Sequence, residues 1–258
     1  MLSLMAKLYE VIVLMFLSLI SKITTTSSNT STNVSIIDGN SYQLSWRLAV
    51  ETNNIRMWRT VPAQCIRYVE NYMLWGQYAR DLDVVIEQIN DYVRDLAMVE
   101  LIDGMDAWIL DIDDTCISNL AYYKGKRYGG DPFDPAGFKA WVQRGVCPAI
   151  LPVLRLFEEL VEGGFKVILL TGREEEALGA ATMENLRNQG FVGYERLIMR
   201  GPEFKGQSAV IFKSEMRRRL TEEGYRIRGN VGDQWSDLTG DYVGDRTFKL
   251  PNPMYFVP

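Results

Sequence analysis

The stretch Trp108-Ile109-Leu110-Asp111-Ile112-Asp113-Asp114-Thr115 constrains this chain more than any other. An apolar run stops abruptly in acids. Residues 107–110 are too few and too rich in β-forming side chains for a helix, so they read as a buried parallel strand. Asp111 and Asp113 stand two residues apart at its C-terminal end, and in extended backbone such side chains point the same way. Open α/β folds bind ligands at that end of their strands. Carboxylates that close repel, and the bare site would raise one pKa. A divalent cation relieves the repulsion, and Mg²⁺ prefers carboxylate oxygens. The competing reading is a strand followed by an acidic turn, and D-x-D-x-T alone does not decide between them.

Composition narrows the chemistry by exclusion. The chain has 258 residues, a formal net charge of −5 and no histidine. An acidic balance argues against a general nucleic-acid or anionic-membrane binder. Any phosphate site must therefore be built locally from lysine, arginine, backbone N–H or metal. Without histidine, Ser-His-Asp and Cys-His nucleophiles and His-ligated metals fall away. Three cysteines are too few for a four-thiolate zinc site. None of Cys65, Cys116 and Cys147 has an arginine six positions later, and no G-x-x-x-x-G-K-[ST] loop occurs. Carboxylates remain as the catalytic groups.

The chain divides into three parts. Residues 1–35 hold Lys7, an apolar run at 11–20 and a Ser/Thr/Asn-rich tract at 21–35. The run is too short to cross a bilayer of ~30 Å and reads as the core of a secretory signal, with an uncleaved anchor as the alternative since no A-x-A-like cleavage site stands out. A secretory route, extracellular or vacuolar, is expected, with no stable membrane insertion after signal removal. Asn29 and Asn33 begin N-x-[ST] sequons, glycan acceptors in a secreted chain. Residues 36–100 read as helical. Pro62 suits a first helical turn, and Leu82, Val85, Ile89, Val93 and Leu96 draw an apolar stripe. This region packs on the sheet, roofs the site or makes a subunit contact such as a homodimer would need.

From 101 to 258 strand and helix alternate. Strands are expected at 108–112, 166–170, 196–199, 225–231 and 247–250, and helices at 138–142, 151–161, 174–188 and 208–223. Residues 118–134 read as a polar loop and Thr171-Gly172-Arg173 as a turn. The order implies an α/β fold, a parallel sheet with helices on both faces and a helical N-terminal extension. Asp111 and Asp113, Thr171 and Gly172, and Asp233 and Asp237 then follow strands and converge on one sheet edge, joined by Lys213 near a helix start. A hydroxyl and a glycine-adjacent N–H can cradle phosphate, a lysine neutralises it, and two further acids complete a metal site. Taken singly, Thr171 reads as a helix cap, Lys213 as a surface lysine with Lys205 as its rival, and Asp233 and Asp237 as loop acids. In conjunction they read as a phosphate and metal site.

The sequence resembles the haloacid-dehalogenase-like (HAD) superfamily of phosphohydrolases. More narrowly it resembles plant acid phosphatases and vegetative storage proteins, relatives of bacterial class B acid phosphatases. The likeness rests on DIDDTCISNLAYY from 111, LLTGREEE from 169, FKSEMRRRL from 212, GYRIRGNVGDQWSDL from 224 and TFKLPNPMYF from 247. It implies an HAD-like core at 101–258 that hydrolyses a small phosphorylated substrate. Asp111 would be the nucleophile and Asp113 the general acid and base. Thr171, Gly172 and Lys213 would hold the phosphoryl group. Mg²⁺ would be held by the Asp111 carboxylate, the Asp113 carbonyl and Asp233, with Asp237 direct or through water. Asp114 stands where these relatives commonly have glutamate, and Cys116 where they have an aliphatic residue. Some storage proteins of this kind lack the nucleophile that Asp111 supplies here. In an oxidising compartment Cys65 and Cys147 are candidates for a disulfide, with Cys116 left beside the active strand.

Overall fold

The computed structural model describes residues 39–99 and 104–258. The expected signal segment, the flexible tract and both sequons lie outside the described residues. Residues 43–258 form one compact unit. Its centre is β1 (Asp106–Leu110), every residue of which is buried. A strand covered on both faces reads as an unbroken apolar run, which is why residues 107–110 carry no polar side chain. Around it lie β2 (Lys166–Glu174), β3 (Arg196–Arg200), β4 (Arg226–Gly232) and β5 (Arg246–Lys249), in the order β3-β2-β1-β4-β5. All pairings are parallel.

Alternation along the strands splits the core in two. Trp108, Leu110, Val167 and Leu169 face one layer, with α3 (Gln77–Val99) and α6 (Leu151–Glu162). Ala107, Ile109, Ile168 and Leu170 face Phe212, Met216 and Leu220 of α8 (Ala209–Glu222). Gly229 is required beside β1, because a Cβ there would lie 2.1 Å from the Trp108 ring. The helical stretch expected before the sheet is three helices, α1 (Gly39–Glu51), α2 (Ile66–Leu74) and α3. Leu82 and Ile89 of the apolar stripe are buried in the sheet core, with Val85, Val93 and Leu96 packed against it. Among the described residues no helix is long and apolar enough to cross a membrane.

Three expectations need correction. The polar loop at 118–134 contains α4 (Leu120–Gly125) and a 3-10 turn at Arg127–Gly129, because Leu120 and Tyr123 can bury together in the cluster of the preceding helices. Thr171-Gly172-Arg173 is not a turn. β2 runs on through it, since Glu174 pairs again with Arg200 of β3 after an irregularity. Cys65 and Cys147 are not bonded: all three cysteines are buried free thiols, and these two sit in different hydrophobic clusters.

Candidate active site

Three elements bring three acids together at the C-terminal edge of the sheet. Asp111 follows β1, its N–H still bonded to Val231 of β4 at 3.0 Å. Asp233 follows β4, and Asp237 ends the short helix α9 (Trp235–Leu238) but one residue. Carboxylate oxygens of Asp111, Asp233 and Asp237, all buried, lie within 4.8 Å of one another. The close turn depends on Gly232, where a Cβ would come within 2.5 Å of the Asp237 side chain. A capping box fixes Asp237, whose Oδ2 accepts from the Gln234 N–H at 2.9 Å.

Lys213, in the second turn of α8, is the counter-charge. Its ammonium donates to Asp111 Oδ1 at 2.5 Å and Asp237 Oδ1 at 2.7 Å. Ser208 caps α8 by accepting from the Ile211 N–H, which sets the helix start and so the lysine's position. The rival Lys205 is exposed. One turn beyond Lys213, the buried Arg217 donates to the carbonyls of Asp237 (2.7 Å), Thr239 (2.7 Å) and Asp241 (3.0 Å). It thereby holds the loop that carries Asp237.

Asp113 is gripped differently. Arg173 forks onto it, Nε to Oδ2 at 2.9 Å and Nη2 to Oδ1 at 2.6 Å, and Asn119 Nδ2 adds a third bond at 2.8 Å. Asn119 is fully buried, and its carbonyl accepts from the Trp141 indole at 2.9 Å. Its backbone N–H donates to Asp114, which also accepts from Tyr255 Oη at 2.9 Å. Asp114 has φ +56, a left-handed conformation that aspartate tolerates better than most residues. Thr171 is buried, and its hydroxyl accepts from the Arg173 N–H at 3.2 Å. Gly172 beside it is exposed.

Asp111, Asp113, Thr171, Gly172, Lys213, Asp233 and Asp237 all border one cavity of about 890 Å³, walled by apolar side chains including Trp58, Phe133, Phe138 and Phe256. Sequence reasoning missed Arg173, Asn119, Arg217, Gln234 and Asn252. Arg173 had a signal, standing directly after Thr171-Gly172 at a strand end. Asn252 had none, since it meets Asp233 from the segment after β5.

The charges are out of balance. Burial pushes the Asp111 carboxyl well above the ordinary range, Asp237 adds to this, and Lys213 only partly opposes it. Asp233 is pushed up to about 7 by burial and by the charges of Asp237 and Asp114. Burial also acts on Asp113, but Arg173 and Asn119 outweigh it and hold that carboxyl below the usual value. Lys213 is raised despite its burial, because Asp111 and Asp237 favour its charged form. Three buried carboxylates lie together with one ammonium that bonds two of them, and their donors are all oxygen. Such a set fits a hard divalent cation and not a thiophilic one.

Comparison with known proteins adds to this geometry. The family described as HAD superfamily, subfamily IIIB (Acid phosphatase), matches residues 27–258. The chain is 46% identical over 212 residues to Acid phosphatase 1 of Solanum lycopersicum, covering 82% of each chain. It is 40% identical over 216 residues to Vegetative storage protein 1 of Arabidopsis thaliana, covering 83% of this chain and 78% of the other. The fold is similar to that of the class C acid phosphatase from Bacillus anthracis, with TM-score 0.59 and 20% identity over 84% of this chain and 86% of that one.

Proposed function

Because the chain belongs to the acid phosphatases of HAD subfamily IIIB, we propose that it hydrolyses small phosphate monoesters through a phosphoryl group carried on Asp111, with Mg²⁺ as cofactor. One observation carries this reading: the buried Asp111, at the rim of the sheet, with Lys213 at 2.5 Å and Asp233 and Asp237 beside it. Phosphoryl transfer asks a protein mainly for positioning and charge neutralisation. A carboxylate is an adequate nucleophile for it.

The residues divide the work as follows. Asp111 attacks phosphorus, and the bond from phosphorus to the ester oxygen breaks. Arg173 and Asn119 keep Asp113 ionised in the free site, so Asp113 passes to the departing oxygen a proton taken from the monoanionic ester, and the alcohol leaves neutral. Asp113 then takes a proton from water as that water attacks the aspartyl-phosphate, which frees inorganic phosphate and restores Asp111. Arg173 and Asn119 aim the Asp113 carboxylate. Thr171, the Gly172 backbone and Lys213 receive the phosphoryl oxygens. Asp111, the Asp113 carbonyl, Asp233 and Asp237 would hold Mg²⁺. When bound, the ion supplies the positive charge that the acids lack and that the transferred oxygens need.

We assign this chemistry to residues 101–258, with 36–100 as a helical extension packed on the sheet and 1–35 as signal and linker. A secretory destination, extracellular or vacuolar, is supported by the apolar run at 11–20 and by likeness to a stem glycoprotein of Glycine max, 39% identical over 214 residues. A second reading, a storage protein with weak phosphatase activity, is favoured by the likeness to the Arabidopsis protein. The buried Asp111, with Lys213, Asp233 and Asp237 beside it, supports the first. Steady-state hydrolysis of a panel of phosphomonoesters, with Mg²⁺ and after chelation, tests the proposal. Mg²⁺-dependent turnover at ordinary enzyme rates supports it. Turnover far below those rates on every ester, with great abundance in vegetative tissue, supports storage. Undiminished turnover in chelator refutes the metal role.

A further inference from the structure

The segment after β5 is a structural part of the metal site. Asp233 presents two oxygens with unequal duties. Its Oδ2 accepts two side-chain amides, Asn252 Nδ2 at 2.6 Å and Gln234 Nε2 at 2.8 Å. Among the described residues its Oδ1 accepts from the Thr115 hydroxyl alone, at 3.3 Å. Each amide is itself oriented by a backbone N–H of the segment: Met254 N–H donates to Asn252 Oδ1 at 3.0 Å, and Val257 N–H to Gln234 Oε1 at 3.0 Å. Flipping either amide would set its carbonyl against the Asp233 carboxylate and its NH₂ against a backbone donor. Both alternatives repel, so the two N–H groups decide which way the amides face.

The segment is firmly seated. Leu250 N–H bonds the Gly232 carbonyl at 2.9 Å. Met254 is buried against Gly129, where a Cβ would lie 1.8 Å from the Met254 carbonyl oxygen. Tyr255 stacks on Tyr123 with ring centroids 4.7 Å apart and donates to Asp114. The segment therefore bonds Asp233 through Asn252 and Asp114, next to Asp113, through Tyr255.

We propose that residues 252–257 act as an outer clamp that turns Asp233 Oδ1 toward the cation, so that divalent-metal affinity is set from this segment. Asn252 and Gln234 are positioning residues, and Met254 and Val257 act through their backbone donors alone. Outer partners of this kind fix the direction and basicity of a ligand, and losing one costs roughly 10–100-fold in affinity. The inference rests on the metal reading above.

The test is calorimetric titration of Mg²⁺ into the full chain and two variants. Asn252→Leu removes one amide at similar volume and should weaken Mg²⁺ roughly 10–100-fold. Val257→Pro deletes one N–H and leaves every side chain around Asp233 in place. Releasing Gln234 in this way should weaken Mg²⁺ by about 10-fold, the lower end of the same range. Val257→Pro decides the matter if Asn252→Leu does not fold. In both variants kcat at saturating Mg²⁺ should return to within about twofold of wild type, a rescue that general damage to the fold would not give. Wild-type affinity in Val257→Pro, or a kcat that saturating Mg²⁺ fails to restore, overturns the clamp. Failure of the wild-type chain to bind any divalent ion overturns the metal reading and the clamp with it.

Discussion

β1 has a buried aspartate at each end, and the two live in opposite electrostatic states. Asp106 opens the strand with Arg226 at 3.0 Å and Arg228 at 2.6 Å on its carboxylate. Burial pushes its carboxyl up, but the two arginines outweigh burial and hold it below the ordinary range. Asp111, just past the other end, is pushed well up by burial and by Asp237, with Lys213 in partial opposition. At one end two guanidiniums more than match one carboxylate, and Asp245 also pairs with Arg228. The other carries three carboxylates against one ammonium. Both carboxylates are buried, but Arg226 beside Asp106 is partly exposed while Lys213 beside Asp111 is enclosed, so the ends differ in their counter-charges and in water's access to them. A structural charge is matched by its own fold, whereas a working one is left for a cation and a phosphoryl group to match.

Lys213→Met should break the working end most severely. It removes the one cation bonded to Asp111 among the described residues and leaves the acids' repulsion unopposed. A loss on the order of 10²–10³ in kcat is expected, as for deletion of a principal charge-stabilising donor, and steady-state kinetics with Mg²⁺ would measure it. Metal binding should sharpen the contrast from the other side. At Mg²⁺ about 100 times its Kd the folded state should gain about 2.7 kcal/mol. Thermal melts should show that gain in wild type and a much smaller one in Asp233→Asn. Arg173→Lys is a smaller perturbation, because the charge stays while the fork onto Asp113 is lost. About tenfold in kcat is expected with KM little changed, by the worth of one aligned charged bond.

How much of this was legible beforehand follows from how far apart the partners lie in the chain. The acids could be read because each ends an apolar strand, and strand ends of a parallel sheet share an edge. Thr171 was legible for the same reason, although the backbone there stays extended where a turn was expected. Lys213 could be distinguished from Lys205 only by burial, which depends on how α8 packs. Asp106 gave no hint of its role, since both arginines come from β4, more than a hundred residues later. Asn252, Gln234 and Asn119 were invisible for a similar reason. An amide's use is set by which donor and acceptor flank it in space. The cysteine pairing failed because spacing says nothing about which core a thiol enters.

The smallest expected effect is on the pH dependence of stability, and its sign differs between the two ends. The Asp106 carboxyl is lower in the folded chain than in the unfolded one. Its contribution is therefore present above the unfolded value near 3.8 and is lost as pH falls through the folded value. Asp233, raised to about 7, acts in reverse. The folded metal-free chain holds that proton better than the unfolded chain does, so stability should fall as pH rises from about 4 through about 7. Denaturant melts from about pH 2 to about pH 7, with and without Mg²⁺, would check both signs. Saturating Mg²⁺ should flatten the upper slope and leave the lower one alone.

Asp111→Asn and Asp106→Asn, assayed side by side for phosphomonoester turnover and for melting, compare the two ends of β1 most directly. Asp111→Asn should abolish turnover while melting no earlier than wild type, because it relieves repulsion among the acids. Asp106→Asn should keep its turnover per folded molecule and lose about 2 kcal/mol of stability, the worth of a charged hydrogen-bonded pair with one partly exposed partner. Wild-type turnover in Asp111→Asn would contradict the assignment of the chemistry to that edge of the sheet.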